Sequence, residues 1–309
     1  MPTWDVLGFG VIAVDDLLYV NTYPGADCKE RVIEERREGG GLVGTAMVAA
    51  ARLGARVAFG GVLGDDDRSL FTIAELEREG VDSSVIHRQP GARPTHSTIV
   101  VERTTGRRTI LYYGQDAVCP DIRDFLQAIP ACRVLFLDNT VAPFAFDAVA
   151  LAHQHGIPVV VDLERTPDEN ALRLSREADH VILGNVFGTR LTGFTDPADI
   201  VRALRQPTHS ACIVTVGEEG CWGSTRDSGD AVRHWPSYAI KAVDTTGCGD
   251  VFHGAYATML ARGASIEQAI AVATATGAIK ATRPGGRSGI PGMGEVEKFM
   301  RENRLMAGS

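Results

Sequence analysis

The chain has 309 residues, 44% of them hydrophobic, and a formal net charge of −8. This composition suits a water-soluble globular protein with one large core or two modest ones. The acidic balance excludes a general nucleic-acid surface, which needs a basic stripe, and no run of about 18 apolar residues exists to span a membrane.

The six cysteines (Cys28, Cys119, Cys132, Cys212, Cys221 and Cys248) show no C-x-x-C spacing, so neither a zinc site nor a redox motif is indicated. Without a disulfide framework a reducing, cytoplasmic compartment is expected. The first residues, Met1 to Asp5, lack the basic segment and apolar run of a signal peptide.

Taken in chain order, residues 6–14 read as a strand. Within this stretch Gly8-Phe9-Gly10, followed by Asp15 and Asp16, lacks the third glycine of a dinucleotide fingerprint. Residues 17–37 show β-type alternation and many charges. Glu38-Gly39-Gly40-Gly41-Leu42-Val43-Gly44-Thr45 then brings three consecutive glycines, which let backbone approach a small polar ligand. No Gly-Lys-Ser/Thr follows, so this is not a P-loop. An alanine-rich helix over 45–53 stops at Gly54, a strand covers 57–59, and a helix over 68–79 ends at Gly80, with Asp65 and Asp66 in capping positions.

Residues 93–113 form a second charged, alternating segment. Its halves, 95–102 and 108–113, flank Thr104-Thr105-Gly106, a hairpin signal. Then come a strand at 134–137, a helix at 143–153, and strands at 159–162, 180–183 and 212–216. Helices follow over 251–262 and 266–281, the second opened by a capping-box pattern of Ser265 and Gln268.

Alternating strands and helices predict an α/β fold with a mostly parallel sheet covered on both faces. The segments 17–37 and 93–113 do not fit such a sheet and are expected to project from it as a small β-sheet lid. Its exposed edges would be covered by a second copy, giving a homodimer. No repeat or linker divides the chain, so residues 1–309 are expected to form a single domain.

The run Asp244-Thr245-Thr246-Gly247-Cys248-Gly249-Asp250 carries the chemistry. It places two glycines and an acid where a helix begins. A helix N-terminus offers unpaired N–H groups and the positive end of the dipole, and so binds an anion such as phosphate. A carboxylate beside a bound phosphate would repel it, unless it takes a proton from an attacking hydroxyl. Asp250 is therefore read as the base of a phosphoryl transfer. His253, one turn later, reads as a packing residue.

These residues resemble the ribokinase-like (PfkB) carbohydrate kinases, and the resemblance covers essentially the whole chain. Residues 38–66, from the glycine cluster to Gly64-Asp65-Asp66, are similar to the family's first signature. Residues 244–250 are similar to its second, and Thr282-Arg283-Pro284-Gly285-Gly286-Arg287-Ser288-Gly289-Ile290-Pro291 to its closing loop. Within the family the chain is nearest to ketohexokinase-like and sulfofructose-kinase-like members.

The resemblance implies a three-layer α/β/α sandwich with the β-lid, and a role for each matching residue. Asp250 matches the catalytic base, and Gly247, Cys248 and Gly249 the anion hole. Asp16, Gly40, Gly41, Thr45 and Asp138 match acceptor-binding positions, with Thr45 standing where the family usually has Asn. Tyr112 lies on the lid strand expected to face the sugar. Asn185, Thr215, Gly217 and Gly220 match nucleotide positions. Gly188 stands where the family's Asn-x-x-Glu motif has the Glu that helps hold Mg²⁺, so the Mg²⁺ ligands stay unassigned. Asp244 and Thr246 match a monovalent-cation loop that binds K⁺ in some members. The lid cations Lys29, Arg103, Arg107 and Arg108 could meet an anionic group on the substrate or remain solvated.

The expected activity is ATP-dependent phosphorylation of a hydroxymethyl group on a sugar or sugar derivative, ketose-like in the first instance. The alternatives are a nucleoside kinase and a non-catalytic sugar- or nucleotide-sensing protein on the same fold. The expected partners are a small sugar and ATP, with neither nucleic acid nor membrane.

Overall fold

The apolar run at residues 6–14, expected as one strand, breaks in two. β1 (Trp4–Phe9) joins the core sheet, while β2 (Ala13–Val20) leaves it for a second sheet. Gly10 marks the break, because a Cβ there would overlap Val43 and the carboxylate of Asp138. A computed structural model describes residues 2–104, 107–114, 122–141, 144–303 and 305. Thr105 and Gly106 of the hairpin signal, and Pro143 at the start of an expected helix, lie outside the described residues.

After β2 come β3 (Glu34–Gly40), α1 (Leu42–Arg52), β4 (Val57–Leu63), α2 (Asp67–Arg78), β5 (Val81–Asp82), β6 (Ile86–Arg88), β7 (Thr95–Glu102) and β8 (Arg108–Tyr113). The middle of the chain holds α3 (Arg123–Ala128), β9 (Cys132–Asp138), α4 (Phe144–Gln154), β10 (Val159–Leu163), α5 (Glu169–Glu177) and β11 (His180–Gly184). The last part holds α6 (Asn185–Thr192), α7 (Pro197–Leu204), β12 (Ala211–Thr215), β13 (Cys221–Thr225), β14 (Arg233–Trp235), α8 (Cys248–Ala261), α9 (Ile266–Ala281) and α10 (Met293–Glu302).

The core sheet runs β14-β13-β12-β11-β10-β9-β1-β4-β5, with β6 also paired to β4. From β12 to β5 its pairings are parallel, and β13 and β14 add antiparallel edges. Side chains alternate between its faces. Val6, Val134, Phe136 and Val160 point into a core shared with α1, α8 and α9, whereas Leu7, Leu135, Leu137 and Val161 point into one shared with α4 to α7. Strands buried on both faces carry the continuous apolar runs seen in the sequence. The fold is thus the expected ribokinase-like α/β architecture, with helices on both sides.

The second sheet has the order β3-β2-β7-β8. β2 pairs with β7 in parallel, and the outer pairings are antiparallel. This is a smaller separate sheet where residues 17–37 and 93–113 were expected to form one; its first two strands run from Ala13 to Gly40 and its last two from Thr95 to Tyr113.

One close contact positions the site. Gly254 lets α8 lie against α1, because a Cβ there would overlap the carbonyl of Ala46. That contact brings together the N-termini of α1 and α8, capped by Gly41 and Gly247. Asp66 caps α2 by accepting from Ser69 N, and the Ser265–Gln268 capping box opens α9, both as expected. Among the described residues no helix is long and apolar enough to cross a membrane.

Candidate active site

Gly247 caps α8 with φ 74°, a left-handed conformation that glycine adopts without a Cβ penalty. Cys248, Gly249 and Asp250 form the first turn, so their N–H groups have no partner within the helix, although Cys248 N donates to the carbonyl of Thr245 at 3.3 Å just before it. His253 is buried, and its Nδ1 donates to the carbonyl of Gly249 at 2.7 Å, which ties that turn down from below. The Cys248 thiol is pushed above its ordinary pKa by burial, so it is not a thiolate.

Asp250 lines a polar pocket of about 460 Å³, together with Asp162, Glu164, Arg108, Arg165 and Arg190. Of the four lid cations named from the sequence, Arg108 reaches this pocket. One carboxylate oxygen from each of Asp162, Glu164 and Asp250 lies within 4.8 Å of the other two. Burial raises the pKa of Asp250 well above the usual carboxylate value. The nearby charge of Glu164 raises it further, and Arg287 opposes the rise. Burial likewise raises Asp162, reinforced by Glu164 and Asp250. Three hard oxygen donors this close are a donor set that suits Mg²⁺.

Arg165, just past β10, has φ 69°, and its guanidinium lies 5.8 Å from the ring centre of Tyr112 on β8. A non-glycine residue held in this region is strained, and such strain collects at functional sites. Tyr112 is exposed at the rim, on the face of β8 that also carries Arg108.

A second pocket, of about 650 Å³, adjoins the first on the other side of the α8 N-terminus, and the two share Thr215, Thr245 and Gly249. Its walls include Tyr238, Ile240, Phe252 and Ala278. The expected nucleotide residues Thr215, Gly217 and Gly220 all line it. Gly220 has φ 95°, and a Cβ there would overlap the carbonyl of Trp235.

The acceptor side differs from expectation. Asp16 points away from Asp250. Its carboxylate accepts from Arg37 Nε at 2.6 Å and from His96 Nε2 at 2.8 Å on the far face of the lid. Asp15, its neighbour on β2, is the acid that packs against Gly40, where a Cβ would overlap its Oδ2. Asp138 is fully buried, and Val11 N and Thr140 N donate to its two oxygens at 2.7 and 2.8 Å, so it staples strand ends together.

Thr45 is buried, and its hydroxyl accepts from Arg287 Nε at 3.4 Å. Arg287 Nη2 donates to the carbonyl of Gly40 at 2.7 Å, while its Nη1 is buried with no hydrogen-bond partner. Gly39 and Gly44 make room for this guanidinium. The cluster expected to admit a ligand thus admits the chain's own Arg287 and Asp15. Gly41, at φ 87°, is the turn into α1.

Asn185 opens α6, and its Oδ1 is buried without a hydrogen-bond partner. Three residues on, a Cβ at Gly188 would lie 2.8 Å from Ile200 Cγ2, so a larger side chain there would have to displace Ile200 of α7. Asp244 and Thr246 sit together below the anion hole, with Thr246 N donating to Asp244 Oδ1 at 2.8 Å.

Residues 11–293 match the family model described as pfkB family carbohydrate kinase. The chain is 32% identical to Fructokinase-1 of Oryza sativa subsp. japonica over 327 residues, covering 96% of this chain and 97% of the relative. The Arabidopsis thaliana ribokinase solved with ribose and ATP superposes with a TM-score of 0.82 at 19% identity, covering 96% and 98% of the two chains. An E. coli chain solved with ATP and Mg²⁺ superposes with a TM-score of 0.80 at 19% identity, covering 96% and 99%.

Proposed function

The chain belongs to the pfkB family of carbohydrate kinases, and from that premise we propose that it transfers the terminal phosphoryl group of ATP to a hydroxymethyl group of a sugar, ketose-like in the first instance. One observation carries this reading. Asp250 stands in the first turn of α8 and lines the polar pocket, while Cys248 and Gly249 of the same turn line the apolar one.

The apolar pocket takes the nucleoside of ATP, with Thr215, Gly217 and Gly220 along one wall. The triphosphate runs over the α8 N-terminus. Asp250 accepts the proton of the attacking hydroxyl, and burial raises its proton affinity above that of an ordinary carboxylate. The N–H groups of Gly247, Cys248 and Gly249 stabilise charge on the transferring phosphoryl oxygens, where fixed dipoles work best because they need no reorganisation. Asp162 and Glu164, beside Asp250, would hold Mg²⁺, which when bound neutralises phosphate charge. On the acceptor side Asp15 takes the place first read for Asp16, because Asp15 shares the cleft face with Gly40.

β8 closes one edge of the lid sheet and leaves Ile110, Leu111, Tyr112 and Tyr113 exposed. A second copy of the chain covering this strand accounts for such an apolar edge. Cys28, Cys132, Cys212, Cys221 and Cys248 are free thiols, which suits a reducing cytoplasm.

The test is ATP-dependent phosphorylation across ketoses, aldoses, sugar acids and nucleosides, with the product followed by phosphorus NMR. A primary phosphate ester on a ketose supports the reading. Turnover of nucleosides alone would replace it with a nucleoside kinase.

A further inference from the structure

Lys280 has no solvent exposure, and its Nζ donates to the main-chain oxygen of Asp244 across 2.9 Å. It stands in the last turn of α9, and the chain folds back over it. Val243 and Asp244 donate to the carbonyl of Ala281, and Arg283 N donates to the carbonyl of Lys280 itself. A lysine at a helix C-terminus normally keeps its ammonium in water while it interacts with the dipole. Full withdrawal is costly, and the charges of Asp244 and Glu38 offset that cost.

Asp244 begins the segment that turns into the anion hole three residues later. The family resemblance assigns this loop to a monovalent cation, but its residues do not fit one. Asp244 Oδ1 accepts from Thr246 N at 2.8 Å and lies 3.7 Å from Arg108 Nη1. Oδ2 accepts from Gly285 N at 3.0 Å, and the main-chain oxygen is taken by Lys280. Every oxygen of Asp244 already faces a donor, and two of those neighbours are cationic side chains. Another cation would meet their repulsion and find few lone pairs free to converge on it.

We propose that the Lys280 ammonium is a tethered cation that does the work of an alkali ion in this loop. It fixes Asp244 to Thr246, and through them orients the N–H groups of Gly247 to Gly249 toward the transferring phosphoryl group. It also makes the enzyme independent of monovalent cations. Lys280 is a positioning residue, since it acts on the phosphoryl group through the loop. The inference rests on the kinase reading of the site.

The experiment measures sugar phosphorylation at constant ionic strength in potassium, sodium and tetramethylammonium chloride, for wild type and Lys280→Met. Calorimetry follows binding of a non-hydrolysable ATP analogue in the same salts. Wild-type rates and affinities are expected to agree within about twofold across salts, far less than the effect of one charged hydrogen bond. Lys280→Met is expected to lose about tenfold in tetramethylammonium, the scale of one such bond, and to regain most of it in potassium or sodium. Activation of wild type by potassium of about fivefold or more overturns the proposal, as does a Lys280→Met loss that no small cation repairs. So does a Lys280→Met variant with undiminished rates. If that variant does not fold, the wild-type salt series decides alone. A wild type that binds the analogue but phosphorylates nothing sinks the kinase reading, and the salt dependence of binding still judges Lys280.

Discussion

Arg287 reaches from the loop between α9 and α10 to donate to the carbonyl of Gly40, 247 residues away in sequence, across 2.7 Å. The same loop donates from Gly285 N to Asp244 and from Gly286 N to Glu38. Three consecutive residues therefore join the anion-hole segment, lid strand β3 and the start of α1. Arg287→Met removes this tie and the charge that opposes the Asp15 and Asp250 carboxylates. The expected loss of stability is about 3 kcal/mol, in the range for breaking a buried charged contact. KM for the sugar should rise while KM for ATP changes little, as read by denaturant melts and steady-state kinetics.

Gly39→Ala should clash with Arg287, because the added methyl overlaps Nη1 of a guanidinium already bonded on its other side. The expected cost is about 2 kcal/mol, typical of overpacking. Gly25→Ala, with open space around it, is the control and should cost almost nothing. Combined with Arg287→Met, Gly39→Ala should lose most of its penalty. An additive double mutant would count against the packing described here.

Asp15 and Asp16 separate by face. Asp15→Asn should lower kcat/KM for the sugar by about tenfold or more, the scale of one charged hydrogen bond. Asp16→Asn removes a lid pair with Arg37 and His96 that is partly open to solvent. It should cost about 1 kcal/mol or less of stability and leave kcat/KM nearly intact. The reverse ranking would restore Asp16 to the acceptor site.

His180 is buried beside Tyr256 Oη, at 2.9 Å from Nδ1, and burial holds its pKa down to about 4. The unfolded chain takes up this proton near the ordinary value of 6.5, and the folded chain does not. Its contribution to stability is therefore intact above pH 6.5 and lost as pH falls from 6.5 toward 4. The stability lead of wild type over His180→Gln should narrow by about 2 kcal/mol between pH 7.5 and pH 5. Denaturant midpoints at the two pH values check it.

The heptad at 244–250 was legible because its chemistry is local: a left-handed glycine and an acid in a first helical turn have a sequence signature. The nucleotide glycines Gly217 and Gly220 entered only through the family resemblance, and both line the apolar pocket. The break between β1 and β2 was not legible, because the apolar pattern runs through it and only close contacts of Gly10 with Val43 and Asp138, distant in the chain, mark it. The choice between Asp15 and Asp16 depended on which face of β2 the lid pairing buries, a register set by β7 some 80 residues on. Arg287 sits in a polar, glycine-rich loop that carries no local signal of burial, and Lys280 is a lone cation near the end of an apolar helix; each is withdrawn from water by contacts with segments far away in the chain. The short elements α5 to α7, β13, β14 and α10 were also unread, their patterns being too brief for periodicity to separate helix from strand.

The most direct test concerns Asp250. Asp250→Asn keeps the side-chain shape and removes the proton acceptor, so affinity for a non-hydrolysable ATP analogue and for the sugar should stay close to wild type. The rate of phosphoryl transfer should fall by about 10² to 10⁴, the range for losing a general base. Transfer at near the wild-type rate, with both ligands still bound, would contradict the assignment of Asp250 as the base and the reaction built on it.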